Sequence, residues 1–363
     1  MRRLLLLIML LILFFPTIVL GLSTTASSAI LMDMDSGRIF YSKDIHNPRL
    51  VASISKIMTA VLAIENGNLD DVITVGEEVL TMYGSNIYIQ LGEKMTLRDL
   101  LYGLLLRSGN DAAIVIGTHI GGSEEKFVEM MNKKAKEIGM INTTYSNCHG
   151  LDEKTKNYST AYDMAVLSSY ANTLEEYRTI SSTKKWTTST DGKSYEWFNR
   201  NKLLTQYKYA TGGKTGYTPS AGRTLVTTAT KNNLNLTAVT LNDPNEYVSH
   251  KNMYEYVFDN YKNYLIIDKE NFDIDDQFYK GEIYVKKSLY YPLTEKELKQ
   301  TKVVLELLNQ NNYKENDKVG EVVVTMNEQE IYRDSVFIKQ KKEPKISLWN
   351  KIKDFFCRMF KFG

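Results

Sequence analysis

The spacing of apolar positions changes repeatedly along the chain, and each change predicts an element. From Leu4 to Leu20 runs an apolar stretch, preceded by Arg2 and Arg3 and followed by the small, polar STTASSA of residues 23–29. That layout predicts an export signal over residues 1–28, cut after Ala26 or Ala29. A run of seventeen residues, apolar but for Thr17, also borders on the length of an uncleaved anchor, so both readings stand.

AILMDMDSGRIFY, residues 29–41, is apolar on either side of Asp35-Ser36-Gly37 and predicts a hairpin. Helical spacing follows. Ile54, Ile57, Met58, Val61 and Leu62 recur on one face, as do Leu97, Leu100, Leu101, Leu104 and Leu105, which follow a Thr96/Asp99 pair resembling a capping box. Together these predict a helical block over residues 50–180. Two β-branched runs in residues 222–241, split by Lys231-Asn232-Asn233, predict strands, and HKNMYEYVFDNYKNY a closing helix. The acidic DKENFDIDD of residues 268–276 suggests a boundary. Beyond it, GEIYVKKSLYYPL and KVGEVVVTMNEQEIYRDSVFIK, the latter with a turn at Asn327-Glu328, read as a small β domain.

In the last stretch, ISLWNKIKDFFCRMFKFG, a helical wheel gathers Leu348, Trp349, Ile352, Phe355, Phe356, Met359 and Phe360 on one arc. Asn350, Lys351, Asp354, Arg358 and Lys361 oppose them, with Lys353 the intruder. Aromatics facing basic residues predict a helix lying in a membrane surface, tethered through KQKKE and Pro344. The expected organisation is a signal over 1–28, a larger mixed α/β domain over 29–264, a small β domain over 265–341, and a tether with its amphipathic helix over 342–363.

Composition removes function classes. Against 45 Lys+Arg stand 43 Asp+Glu, a net charge of +2 over 363 residues, so no concentrated basic face suggests nucleic acid as a partner. Cys148 and Cys357 make no disulfide framework for an exported chain. His46, His119, His149 and His250 form no metal-ligand pattern, and neither a metal nor another cofactor is expected.

The candidate chemistry begins in VASISKIMTA, where Ser53 precedes Lys56 by three residues at the head of a helical run. On a helix these lie on one face, so Lys56 can reach the Ser53 hydroxyl while Ile54 and Ile57 anchor the segment in the core. A serine needs a base, which lysine supplies only when burial or neighbouring cations make it neutral. The same spacing at Ser123/Lys126, Ser181/Lys184 and Ser182/Lys185 falls in polar surroundings and is expected on the surface. Two further motifs add groups. Ser108-Gly109-Asn110 is expected in a loop between helical runs. Lys214-Thr215-Gly216 precedes a strand, where a cation and a hydroxyl could grip a carboxylate and Gly216 could admit an extended substrate.

In the order S-x-x-K, S-x-N, K-T-G, the set is the kind found in penicillin-binding proteins and class A β-lactamases. The chain resembles the low-molecular-mass penicillin-binding proteins that are serine-type D-alanyl-D-alanine carboxypeptidases. AILMDMDSGRIFYSKD, MTLRDLLYGLLLRSGNDAA, HGLDEKTKNYSTAYDMA and GGKTGYTPSAGRTLVTTAT carry the likeness over residues 28–262. It implies an α+β fold, an antiparallel sheet against a helical block, followed by the small all-β domain and the amphipathic helix. It implies Ser53 as nucleophile and Lys56 as base, Ser108 relaying a proton, and Asn110 orienting the substrate amide. Lys214 and Thr215 would hold the terminal carboxylate, and the N–H groups of Ser53 and Tyr217 the oxyanion. The implied partners are the peptidoglycan stem peptide, β-lactam antibiotics and the membrane surface, at the outer face of the cytoplasmic membrane.

Two departures stand out: VASISK lacks the usual proline, and Tyr217 stands where histidine is common. Glu153 and Asn157 fit the E-x-x-x-N spacing of class A β-lactamases, which keeps that alternative open beside a non-hydrolysing scaffold. Arg223 is expected to be a solvated charge, and His149 structural.

Overall fold

The computed structural model describes residues 22–190, 192–272, 278–279, 282–308 and 313–339. The apolar run before residue 22 and the terminal helix expected over 342–363 lie outside the described residues. The chain divides between Asn260 and Tyr261 into two compact units.

In the first unit the longer strands are β1 (Ser28–Asp33) and β2 (Ile39–Lys43), a separate hairpin of β3 (Lys185–Thr190) and β4 (Lys193–Phe198), then β5 (Ala210–Thr218), β6 (Gly222–Lys231) and β7 (Leu234–Leu241). Five of them form one antiparallel sheet in the order β2-β1-β7-β6-β5. The first and last segments of the unit thus meet at its centre. β1 is buried at every position. The reason is that helices cover both faces, α5 (Ala161–Ala171) lying on β1 and β7 and α7 (Glu246–Asn260) on β6 and β7. The expected turns are present: Gly37 has φ 72° between β1 and β2. Asn232 and Asn233, both left-handed at φ 52° and 62°, make the two-residue loop that suits the twist of β6 and β7.

The helical block comprises α1 (Lys56–Asn66), α2 (Leu97–Tyr102), α3 (Asn110–Gly121), α4 (Glu124–Glu137), α5 and α6 (Glu175–Ser182). Ile54, Ile57, Met58, Val61, Leu97, Leu100, Leu101, Leu104 and Leu105 are all buried in one core with the sheet. The mixed helix-and-sheet fold read from the pattern is therefore the fold observed. Two local features differ from plain helix. Ala52–Ser55 is a 3₁₀ turn, and Gly103–Arg107 is a π-helical turn that ends at Ser108. Ser181 also departs from expectation: it is buried, because α6 packs against β5.

In the second unit, β8 (Lys262–Ile267) pairs with β10 (Leu289–Leu293), while β9 (Ile283–Tyr284), β11 (Thr301–Leu307), β12 (Lys318–Met326) and β13 (Gln329–Ile338) form a sheet in the order β9-β13-β12-β11. Residues 262–264, assigned from the pattern to the closing helix and to the first domain, are strand and belong here, because their backbone pairs with β10. The boundary therefore precedes the acidic stretch. Asn327 and Glu328, at φ 52° and 66°, supply the expected two-residue turn between β12 and β13. Val319, Val322, Val324, Val336 and Ile338 build a core of this unit's own.

Candidate active site

The three motifs sit on three different elements that converge on one cleft. Ser53 lies in the 3₁₀ turn ahead of α1, and a 3₁₀ turn eclipses residues three apart, which stacks Lys56 over Ser53 more directly than an α-helix would. Ala52, just before the nucleophile, is held left-handed at φ 51°. Ser108 is likewise left-handed at φ 65°. Non-glycine residues in that region carry strain, and such strain gathers at functional sites.

Lys56 is fully buried. Its Nζ lies 3.0 Å from Ser53 Oγ and donates to Asn110 Oδ1 at 2.7 Å and to the backbone carbonyl of His149. Burial lowers its pKa to about 7; Cys148 and Asp111 act against that fall, and Arg200 adds to it. The partner set suits a neutral amine. The Asn110 and His149 oxygens can only accept, so they take the two N–H groups, and the lone pair is left for the Ser53 hydroxyl.

Asn110 is oriented in turn, its Nδ2 donating to the Tyr83 carbonyl at 2.6 Å. Ser108 Oγ is buried and has no hydrogen-bond partner, an orphan that a bound substrate could satisfy. Lys214 is buried beside them; its Nζ donates to the Thr215 carbonyl at 2.7 Å. Burial first, then the positive charge of Lys56 and Arg200, holds its pKa well below the usual lysine range.

Gly216 is required by close approach. A Cβ there would come within 3.0 Å of the Ser53 amide nitrogen and 3.1 Å of the Ile54 nitrogen, and would run into the Thr224 hydroxyl. Strand β5 thus lies directly against the nucleophile turn. From the opposite side, Gly150, at φ 84°, abuts the Ala52 carbonyl.

Ser53, Ser108, Thr215, Gly216 and Tyr217 all line a cleft of about 460 Å³, with Ser85, Arg200, Arg223 and Glu246 among the other walls. Lys56, Asn110 and Lys214 stand behind this surface. Arg223 is exposed, as expected, with its guanidinium 3.3 Å from Glu246. Glu153 is exposed, while Asn157 is buried against the backbone of Ser146 and Asn147. His149 is neutral, its pKa lowered to about 3 by burial and then by Lys56, and its Nδ1 accepts from the Leu151 amide. Its ring is structural, yet its carbonyl orients Lys56.

The groups missed from the sequence are of this kind: the Tyr83 and His149 carbonyls, and Arg200, whose guanidinium donates to Ser85 Oγ at 2.8 Å. Backbone atoms have no residue signature, and a single arginine in a polar stretch has none either. Among the described residues no cluster of three or more His, Cys, Asp or Glu could hold a metal.

Comparison with known proteins identifies the family. The family model described as D-alanyl-D-alanine carboxypeptidase matches residues 17–245. D-alanyl-D-alanine carboxypeptidase DacF of Bacillus subtilis is 37% identical over 227 residues, 60% of this chain and 57% of that protein. DacA of Haemophilus influenzae is 31% identical over 273 residues, 71% of this chain and 68% of its own length. The match to DacF thus spans little more than half of that relative. Among solved structures, penicillin binding protein 5 from Haemophilus influenzae superposes with a TM-score of 0.75 at 26% identity, over 88% of this chain and 97% of that one. The chain belongs to the D-alanyl-D-alanine carboxypeptidase family.

Proposed function

We propose that this protein is a serine carboxypeptidase that removes the terminal D-alanine from peptidoglycan stem peptides, and that β-lactams acylate the same serine. The observation that carries the reading is the bonding of Lys56: two acceptor-only oxygens direct its lone pair to the Ser53 hydroxyl at 3.0 Å. Ser53 Oγ gives its proton to Lys56 Nζ and attacks the carbonyl between the two D-alanines. The oxyanion is held by the N–H groups of Ser53 and Tyr217. Ser108 relays the proton to the departing amine, Asn110 Nδ2 orients the peptide, and Lys214 with Thr215 holds the terminal carboxylate. That carboxylate raises the Lys214 pKa again, so binding the substrate restores a charge that burial had weakened. Water then hydrolyses the acyl-enzyme, with no cofactor.

The position of Glu153 disfavours the β-lactamase reading, since the residue is exposed and does not line the cleft. The test is intact-mass analysis of the full chain with benzylpenicillin beside Ser53→Ala, followed by D-alanine release from a diacetyl-Lys-D-Ala-D-Ala peptide. A Ser53-dependent adduct with D-alanine release is expected. An adduct without release would replace the carboxypeptidase by a scaffold, and rapid penicillin turnover would favour a lactamase.

The reading includes export and a peripheral place at the outer membrane face, supported by the apolar N-terminal run and the amphipathic 346–363 pattern. Among the described residues no helix is long and apolar enough to cross a membrane. Deleting residues 345–363 is expected to release the protein from membranes.

A further inference from the structure

Asp111, next to Asn110 and fully enclosed, has no role in the reaction as described above, yet its bonding is unusually complete. Its Oδ1 accepts from the amides of Ile87 at 3.0 Å and Ala112 at 2.9 Å, and its Oδ2 from Tyr88 at 2.7 Å and Ile89 at 3.3 Å. Four amide donors face this carboxylate and favour its ionised form, but burial outweighs them and its pKa is raised. The bonding is also reciprocal: the Asp111 amide donates to Asn86 Oδ1 at 3.3 Å, and the Asn110 amide to the Ser85 carbonyl at 2.7 Å.

The segment so gripped is strained. Gly84 and Tyr88 are left-handed at φ 78° and 65°, and a tyrosine stays there only when its surroundings hold it. The same segment carries the Tyr83 carbonyl that orients Asn110 and the Ser85 hydroxyl that meets Arg200 at the cleft wall.

We propose that Asp111 is a positioning residue for the reaction, holding the segment from Tyr83 to Ile89 against the Ser108–Asn110 loop and placing a buried carboxylate one residue from the amide that bonds Lys56. The inference rests on the carboxypeptidase reading of this site. The groups acting on Lys56 are the Cys148 thiol from the loop before His149, Asp111 from α3 and Arg200 from the approach to β5. Lys56 in turn acts on His149 and on Lys214 of β5. Asp111 is the carboxylate in this set, and it holds the Lys56 pKa up. Its loss therefore has two effects, a displaced Asn110 and a more acidic Lys56.

The experiment follows benzylpenicillin acylation of the full chain by intact mass between about pH 5 and 9, in wild type, Asp111→Asn, Asp111→Ala and Ser53→Ala. Near-UV circular dichroism checks the fold. In Asp111→Asn, which is nearly isosteric, the acidic limb of the rate profile is expected to move to lower pH, because Lys56 then loses its proton more readily. Asp111→Ala should in addition slow acylation on the order of 10²-fold, the scale of a catalytic group displaced by about an ångström. An acidic limb unmoved in Asp111→Asn overturns the proposal whatever the rate, since a purely structural carboxylate would change amplitude alone. Absence of a Ser53 adduct in wild type is a different failure: it removes the functional reading itself.

Discussion

The two lysines behind Ser53 in the first unit and Arg333 in the second treat positive charge in opposite ways. In the first, Lys56 and Lys214 are buried to 0% and 1% exposure, without a carboxylate in direct contact, and both have pKa values pushed down. In the second, Arg333 stays on the surface and meets Glu306 at 2.6 Å, Glu321 at 2.7 Å and Glu330 at 2.7 Å, which raises its pKa. Arg333 follows the common rule that charge stays in water with a partner nearby. The lysines break that rule, at the cost of desolvating an amine. What burial provides is a neutral amine near neutral pH beside a hydroxyl, which no exposed lysine can be.

That contrast can be broken by substitution, most severely at the nucleophile. Ser53→Ala should abolish acylation, with turnover falling on the order of 10⁶-fold, as read by intact mass and D-alanine release. Lys56→Arg keeps the charge yet removes the base, because a guanidinium does not deprotonate. A loss of roughly 10²–10⁴-fold is expected, and an active Lys56→Arg enzyme would mean that Lys56 serves only as a charge.

Gly216→Ala tests the close packing of β5 on the nucleophile turn. The added methyl meets the Ser53 and Ile54 nitrogens, so acylation should slow by about 10²-fold with the far-UV spectrum unchanged.

Stability sharpens the comparison further. Because the Lys56 pKa is about 7 in the folded protein against 10.5 for a free lysine, the unfolded chain holds more protons between those values, and stability attributable to this residue rises with pH across that window. Lys56→Met lacks the effect. Its melting temperature relative to wild type should therefore be highest below pH 7 and should converge as pH approaches 10.5. The smallest change is expected at Arg333→Ala, which should leave Ser53 acylation unaltered and lower the melting temperature only slightly, more at low salt than at high.

Much of this was legible without coordinates. The S-x-x-K spacing encodes its own geometry, since residues three apart share a helical face whatever surrounds them. The turns at Asn232-Asn233 and Asn327-Glu328 were readable because few residues accept left-handed backbone. Sequence also misled in places. Residues 262–264 follow a helical pattern but pair as strand with residues far along the chain, and Ser181 lies in polar sequence yet is buried by β5. The terminal helix and the N-terminal run remain readings of periodicity alone.

The sequence by itself determined which side chains could do chemistry and the local spacing that brings Ser53 to Lys56, because short-range helical geometry and side-chain identity are written residue by residue. Tertiary structure alone decided that Lys56 is dry, that the Tyr83 and His149 carbonyls and the Asp111 carboxylate set its surroundings, and that Lys214 arrives from some 160 residues away along the chain. Burial and backbone hydrogen bonding are properties of the assembled chain, and it is these that turn an ordinary lysine into a base.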